Sequence, residues 1–242
     1  MSKIEKIENY FPNGMLREKG TKKDGKHVGK WIYCYESGEK FEEINFDKNE
    51  NPQKCIRWYK NGKKMIERTG FEEGMETEWY ENGKKKYQLN LYNTKIHGEI
   101  THWYENGQIK EESFMVDGKY EGKWVFRYDN GEKKEECYYK DDKRNGEYYL
   151  YFKNGQIDES GFYKDDKKEG KGVRFYENGQ KMMEGQCKDD LTDGFQTIWD
   201  ESGKIIWEGE FKMGEVIDDE GFPYSLLDDY FILNNEEGSV KN

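Results

Sequence analysis

Of 242 residues, 38% are charged and only 33% hydrophobic, a balance that alone describes a disordered chain, yet 16% are aromatic and only three are proline. Each aromatic ring at a fixed position can bury roughly 150–250 Å², enough to replace the missing Leu and Val of an ordinary core. The formal net charge of −11 disfavours nucleic acid and anionic membrane as general partners and suits a basic protein.

The chain opens Met-Ser-Lys-Ile-Glu-Lys-Ile-Glu-Asn-Tyr, with no apolar run of signal-peptide length, and nowhere do about 18 apolar residues stand together. The expectation is a cytoplasmic protein for which membrane is an unlikely partner; export stays open to a chain whose leader has been removed. Residues 1–7 form a lead-in.

From residue 8 to 215 the sequence repeats itself, which implies a repeat architecture before any other reading. Nine turn signals mark the register: Asn13-Gly14, Ser37-Gly38, Asn61-Gly62, Asn82-Gly83, Asn106-Gly107, Asn130-Gly131, Asn154-Gly155, Asn178-Gly179 and Ser202-Gly203. Every step is 24 residues except one of 21. Asn-Gly between alternating strands predicts a β-hairpin with a type I′ turn, in which both central residues take positive φ.

An aromatic column stands three residues before the turn glycine, at Phe11, Tyr35, Tyr59, Tyr80, Tyr104, Tyr128, Phe152 and Tyr176, with Asp200 the exception. One position earlier come Tyr10, Trp58, Trp79, Trp103, Tyr151, Phe175 and Trp199. Alternation puts the two columns on opposite faces. The Trp column is read either as a stacked structural ladder or as a recognition stripe. The strand after each turn is rich in Lys and Glu, as in Glu132–Glu136, and ends on an aromatic such as Phe114, Tyr138, Phe162 or Phe211. Such a run reads as a solvated face.

A second turn follows, as at Asp117-Gly118, Asp141-Asp142 and Asp165-Asp166, and then a strand-opening glycine: Gly29, Gly98, Gly122, Gly146, Gly170 or Gly194. Such a glycine either takes positive φ or lets an aromatic lie flat over bare backbone. The result is an all-β, elongated, twisted single-layer antiparallel meander of about nine stacked hairpins. Two places break the pattern: residues 47–55, where Gln53 stands in the glycine position and Pro52 predicts a bulge or a local gap in the ladder, and the 21-residue step at Gly70–Gly74. Residues 216–242 are a C-terminal cap, with a short helix from Ser225 through Leu226, Leu227, Tyr230, Phe231 and Leu233. That helix covers the last hairpin or binds a partner.

No catalytic, cofactor or metal site is expected. The acid pairs Asp141-Asp142 and Asp165-Asp166 recur in step with the repeat, as turn chemistry does and a catalytic site does not. His97 and His102 have no third ligand nearby in sequence, and Cys34, Cys55, Cys137 and Cys187 lack the spacing of a zinc site or a disulfide ladder.

The unit Trp/Tyr-Tyr-x-Asn-Gly-x-x-Lys-x-Glu, then an aromatic, then Asp-Gly-Lys or Asp-Asp-Lys, resembles the bacterial variant of the MORN repeat. Trp103–Glu112 and Phe175–Glu184 carry the resemblance best. It implies a sheet of stacked hairpins and offers no catalytic residue. Proteins of this kind are often called YwqK-family antitoxins, and MORN repeats elsewhere serve as scaffolds or membrane-associated modules. The expected function is therefore non-catalytic protein binding, as an antitoxin or immunity protein that occludes a basic toxin, or alternatively as a scaffold with no toxin. The candidate partner-binding residues are Trp58, Tyr59, Trp79, Tyr80, Trp103 and Tyr104, in three successive repeats.

Overall fold

The computed structural model describes residues 2–218 and 220–223. The chain divides into two compact units, Met1–Tyr120 and Glu121–Asn242. In the first, the strands are β1 (Ile4–Tyr10), β2 (Leu16–Lys23), β3 (Lys26–Cys34), β4 (Lys40–Phe46), β5 (Pro52–Trp58), β6 (Lys64–Thr69), β7 (Gly74–Trp79), β8 (Lys85–Tyr92), β9 (Lys95–Trp103), β10 (Ile109–Val116) and the two-residue β11 (Lys119–Tyr120). Each pairs antiparallel with the next.

The second unit holds β12 (Gly122–Arg127), β13 (Lys133–Lys140), β14 (Lys143–Arg144), β15 (Gly146–Tyr151), β16 (Ile157–Lys164), β17 (Lys167–Lys168), β18 (Gly170–Phe175), β19 (Lys181–Lys188), β20 (Leu191–Trp199), β21 (Ile205–Lys212) and β22 (Glu215–Val216). It is the same antiparallel meander. No helix occurs among the described residues. β1 begins inside the segment read as a lead-in, and the helix expected from Ser225 lies outside the described residues.

The Asn-Gly turns do not take the type expected of them. At Asn82-Gly83 the amide of Gly83 donates to the Tyr80 carbonyl at 2.8 Å, and the Tyr80 amide donates to the Lys84 carbonyl at 2.9 Å. Gly83 has φ 91°, while Asn82 is not in the left-handed region. This is a type I turn closed by a glycine bulge, not type I′. The Asn82 side chain accepts from the Lys84 amide at 2.9 Å, holding the turn in that form. Type I′ geometry falls instead on the acidic turns, where Asp141 and Asp142 have φ 51° and 70° and Asp165 and Asp166 have 50° and 72°. Two residues close those hairpins, and Asp is among the few side chains that tolerate the left-handed region.

Both kinds of turn are tied to their counterparts one repeat away. Asn82 Nδ2 donates to the Glu105 carbonyl at 2.9 Å, and Asn178 Nδ2 to the Glu201 carbonyl at 2.9 Å. Along the other margin the Asp166 amide donates to the Arg144 carbonyl at 3.0 Å, and Asp166 Oδ1 accepts from the Arg144 amide at 2.8 Å. Asparagine and aspartate therefore shape a turn and fasten it to its neighbour.

Residues 47–51 form another bulge turn, with the Asp47 amide on the Asn51 carbonyl at 2.9 Å and Glu50 at φ 71° where glycine stands elsewhere. The ladder shifts register between Asn45 and Phe46, opposite Pro52. At the short step, a Cβ on Gly70 would meet the Glu73 carbonyl and one on Gly74 the Thr69 carbonyl, so neither can carry a side chain.

Without a second layer, the core is one face of each sheet. Register aligns buried Trp31, Cys55 and Ile100 in the first unit and Cys137, Tyr148, Ile198, Trp207 and Phe211 in the second. Large side chains there lie across bare backbone. A Cβ on Gly20 would stand inside the Trp31 ring, one on Gly161 2.8 Å from Tyr148, and one on Gly185 inside the Gln196 amide. The strand-opening glycines serve the other purpose, with positive φ such as 99° at Gly98. Phe222 stands one period after Ile198 and packs edge-on to Trp207 and Phe211, with ring centroids at 4.9 and 5.7 Å. It supplies the apolar cover that a further repeat would bring.

Candidate protein-binding surface

Opposite the core face, each sheet presents an open face built from the other half of every strand's alternation. In the first unit this face carries Trp58, Trp79 and Trp103, each half-buried and each capped by a lysine from the preceding repeat. Lys40, Lys64 and Lys85 lie 4.6, 5.5 and 5.3 Å from the ring centroids. Lys133 over Tyr151 and Lys181 over Trp199 repeat the arrangement in the second unit, at 5.6 Å each. Such stacking contributes about 0.5–1 kcal/mol where the pair stays exposed.

The lysines are themselves held. Glu67 takes Lys54 at 2.6 Å and Lys64 at 2.5 Å; Glu184 takes Lys171 and Lys181, both at 2.5 Å. Hydrogen bonds from those ammonium groups hold both carboxyls below the usual carboxylate range. At Glu136 burial opposes the same effect, but Lys123 at 2.7 Å and Lys133 at 2.6 Å win and the carboxyl is again lowered. The charged run is a fixed ladder of lysine–glutamate–lysine clamps.

The tyrosines of the candidate set point the other way. Tyr59 donates its hydroxyl to the Trp79 carbonyl and Tyr80 donates to the Trp103 carbonyl, both at 2.8 Å. Tyr35, Tyr128 and Tyr176 make the same bond to the carbonyls of Trp58, Tyr151 and Trp199. The six candidates therefore divide by face: Trp58, Trp79 and Trp103 share the open one, while Tyr59, Tyr80 and Tyr104 occupy the bulge-turn position of the core side. Trp103 also borders a shallow groove with Lys84, Lys85, Asn106 and Gly107.

The most exposed rings of the open face are not in the candidate set. In the second unit Tyr138, Phe162 and Phe195 are 38%, 42% and 59% exposed. Their cross-strand partners are Lys123, Glu147 and Glu210, so they form one row near the acidic turns. Phe114, paired with Glu99, holds the equivalent place in the first unit at 40% exposure. The sequence carried a signal for this row: Tyr138 is two residues beyond the clamped Glu136 and must share its face.

On the core face of the second unit lies a polar network. Glu159, 4% exposed, takes Lys168 at 2.6 Å and the Tyr148 hydroxyl. Arg144 stacks 4.1 Å over the Tyr163 ring and donates to its hydroxyl at 3.0 Å. Burial pushes the carboxyls of Glu135 and Asp158 up. A small cavity of about 50 Å³ beside Glu159, Lys168 and Gln196 can hold water. The two buried thiols are unsuited to attack: burial, then Glu42, pushes Cys55 up to about 12, and burial, then Glu135, does the same at Cys137. His27 and His97 face Glu50 and Asp117, at 2.6 and 3.5 Å. Among the described residues no three His, Cys, Asp or Glu side chains group as metal ligands would.

A family model described as the MORN repeat variant matches residues 72–93, 96–117, 120–141, 144–165 and 168–189. Each match spans one bulge-turn hairpin and stops on the first residue of an acidic-type turn, at Asn93, Asp117, Asp141, Asp165 or Asp189. No curated protein sequence matches the chain. Among solved structures, a Staphylococcus aureus TarM point mutant in complex with fondaparinux, alpha-GlcNAc-glycerol and UDP is similar at 13% identity and a TM-score of 0.21, over 63% of this chain. This chain spans only 20% of that one. A Bacteroides fragilis NCTC 9343 protein of unknown function is similar at 8% identity and a TM-score of 0.11, over 88% of this chain and 96% of that one.

Proposed function

We propose that this chain, which belongs to the MORN repeat variant family, is a repeat-based binding module that acts as a cytoplasmic antitoxin or immunity protein, covering the active site of a basic toxin. The observation that carries the reading is the open face of each unit. It is a clamped ladder from which rings project, Tyr138 and Phe162 one 24-residue period apart and Phe195 in the same cross-strand row, all three exposed far beyond what a solvated face needs. Net charge of −11 favours encounter with a basic partner, and a preformed sheet binds without ordering cost. Trp58, Trp79 and Trp103 are the contacts proposed on the first unit, and the three exposed rings those on the second.

The test is affinity capture from the native cell, with the captured protein then co-expressed beside this chain. The expected result is a basic protein that arrests growth alone and is neutralised by the wild-type chain. Neutralisation should fail for Trp79→Ala combined with Phe162→Ala but survive Tyr80→Phe. A captured partner without toxicity would replace this reading by that of a scaffold. Capture unaffected by the ring substitutions would remove the open face from the argument.

A further inference from the structure

The first strand, β1, pairs with β2 alone among the described residues, so one margin of it is an open edge. The hydrogen bonds fix which residues face outward. The Phe11 amide donates to the Met15 carbonyl and the Asp24 amide to the Lys3 carbonyl, both at 2.8 Å, so odd-numbered residues turn their backbone groups toward β2. Ile4, Lys6, Glu8 and Tyr10 therefore direct theirs away from the sheet. Their side chains share one face, and the apolar pair is exposed, Ile4 at 68% and Tyr10 at 56%.

We propose that this edge joins a second copy of the chain, β1 against β1, antiparallel about a twofold axis through Ile7. In that register Lys6 lies opposite Glu8 of the other copy and Ile4 opposite Tyr10, each pair occurring twice. All four residues are those whose amides and carbonyls face outward, so the pairs are the hydrogen-bonded ones of an antiparallel ladder. Ile7 meets Ile7 at the axis, on the face where it already sits over Gly20 beside Trp31.

The sequence selects this register over its neighbours. Sliding one copy by two residues sets Lys6 against Lys6, and sliding it the other way sets Glu8 against Glu8, each a like-charge opposition. A one-residue slide puts inward-bonded residues at the new ladder and moves every side chain to the wrong face. Among the described residues no ion pair within the chain joins Lys6 or Glu8 to a partner. One seven-residue strand makes a small contact, so the dimer is a concentration-dependent one. The inference is independent of the antitoxin reading, because β1 carries none of the rings that reading uses.

Sedimentation equilibrium on the untagged chain, from micromolar to millimolar concentration, tests it. The wild type should fit a monomer–dimer equilibrium. Lys6→Glu and Glu8→Lys should each weaken the dimer about tenfold, because two pairs turn repulsive at once, and the double exchange should restore it to within about threefold. Both side chains are exposed, so circular dichroism of all three variants should match the wild type. A monomer throughout would mean that the charges blunt the edge, and would overturn the proposal. So would a dimer indifferent to the single exchanges, a double exchange no better than either single, or open-ended growth, which would signal β1 pairing with the far end of another copy.

Discussion

Gly20 and Trp31 give the sharpest test of a core made by laying rings on bare backbone. Trp31 is 1% exposed, its indole nitrogen donates to the Thr21 carbonyl at 3.1 Å, and its ring meets His27 at 4.0 Å. Gly20 sits beneath it with an ordinary strand conformation, so glycine is required there for space and not for φ. Gly20→Ala thus carries two opposed effects. Restricting the unfolded chain favours alanine by about 0.4–1 kcal/mol, whereas displacing a packed ring costs about 1–3 kcal/mol. Expulsion of the ring sets the ceiling, at the roughly 3–5 kcal/mol of a Trp→Ala change. The expected net loss is about 1–2 kcal/mol. In a Trp31→Ala background the clash is gone and Gly20→Ala should instead stabilise, by about 0.5 kcal/mol. Urea titration by circular dichroism reads the midpoints, and amide exchange at Thr21 and Val28 reports locally, because a repeat array opens in pieces. The same sign in both backgrounds would refute the account.

Tyr80→Phe deletes the hydroxyl bond to the Trp103 carbonyl and should cost about 0.5–1.5 kcal/mol in urea titration while leaving affinity for a captured partner unchanged. Asn82→Ala removes both the turn bond to Lys84 and the bond to Glu105, for about 1–2 kcal/mol; Asn82→Asp keeps the first and should lose about half as much. Equal losses would mean that the amide does not fasten adjacent repeats. The lowered carboxyls of Glu67 and Glu184 contribute stability that is complete above their unfolded pKa, about 4.3, and is lost as pH falls through the lower folded values. Glu67→Gln with Glu184→Gln should therefore lower stability at neutral pH and flatten its decline on acidification. An acid-unfolding profile parallel to the wild type would show that these clamps contribute nothing.

The period, the hairpins and the two faces were legible because a side chain cannot change face without changing parity, and the aromatic columns keep parity in eight and seven of the nine copies. Turn type was not. Asn-Gly favours type I′ when two residues separate the last ladder pair, but nothing in the dipeptide sets that count. Tyr80 sets it here by bonding both Gly83 and Lys84, which leaves room for three. The acidic dipeptides then take the two-residue turn, where Asp141 and Asp142 both stand at positive φ. Each aspartate pair so placed is committed to backbone geometry, which is why it recurs with the repeat.

The candidate surface was legible only in part, and the reason is what hydroxyl and indole groups can reach. Alternation already set Tyr59 and Tyr80 on the face opposite Trp58 and Trp79, but it left open what either column does there. A tyrosine hydroxyl, however, stands far enough from its own strand to meet the carbonyl one repeat on, so the Tyr column is used up in joining repeats. The Trp rings have no such anchor and remain on the open face under lysines that glutamates hold, so a partner reaching Trp79 competes with the Lys64–Glu67 clamp. Tyr138 goes further: its cross-strand partner Lys123 reaches Glu136 at 2.7 Å, and the ring stands 38% exposed. The clamp that holds Lys123 is thus also what leaves that ring bare, and a charge-neutral clamp such as Glu136→Gln should free Lys123 to fold over Tyr138, reducing the ring's exposure to quenchers without loss of fold.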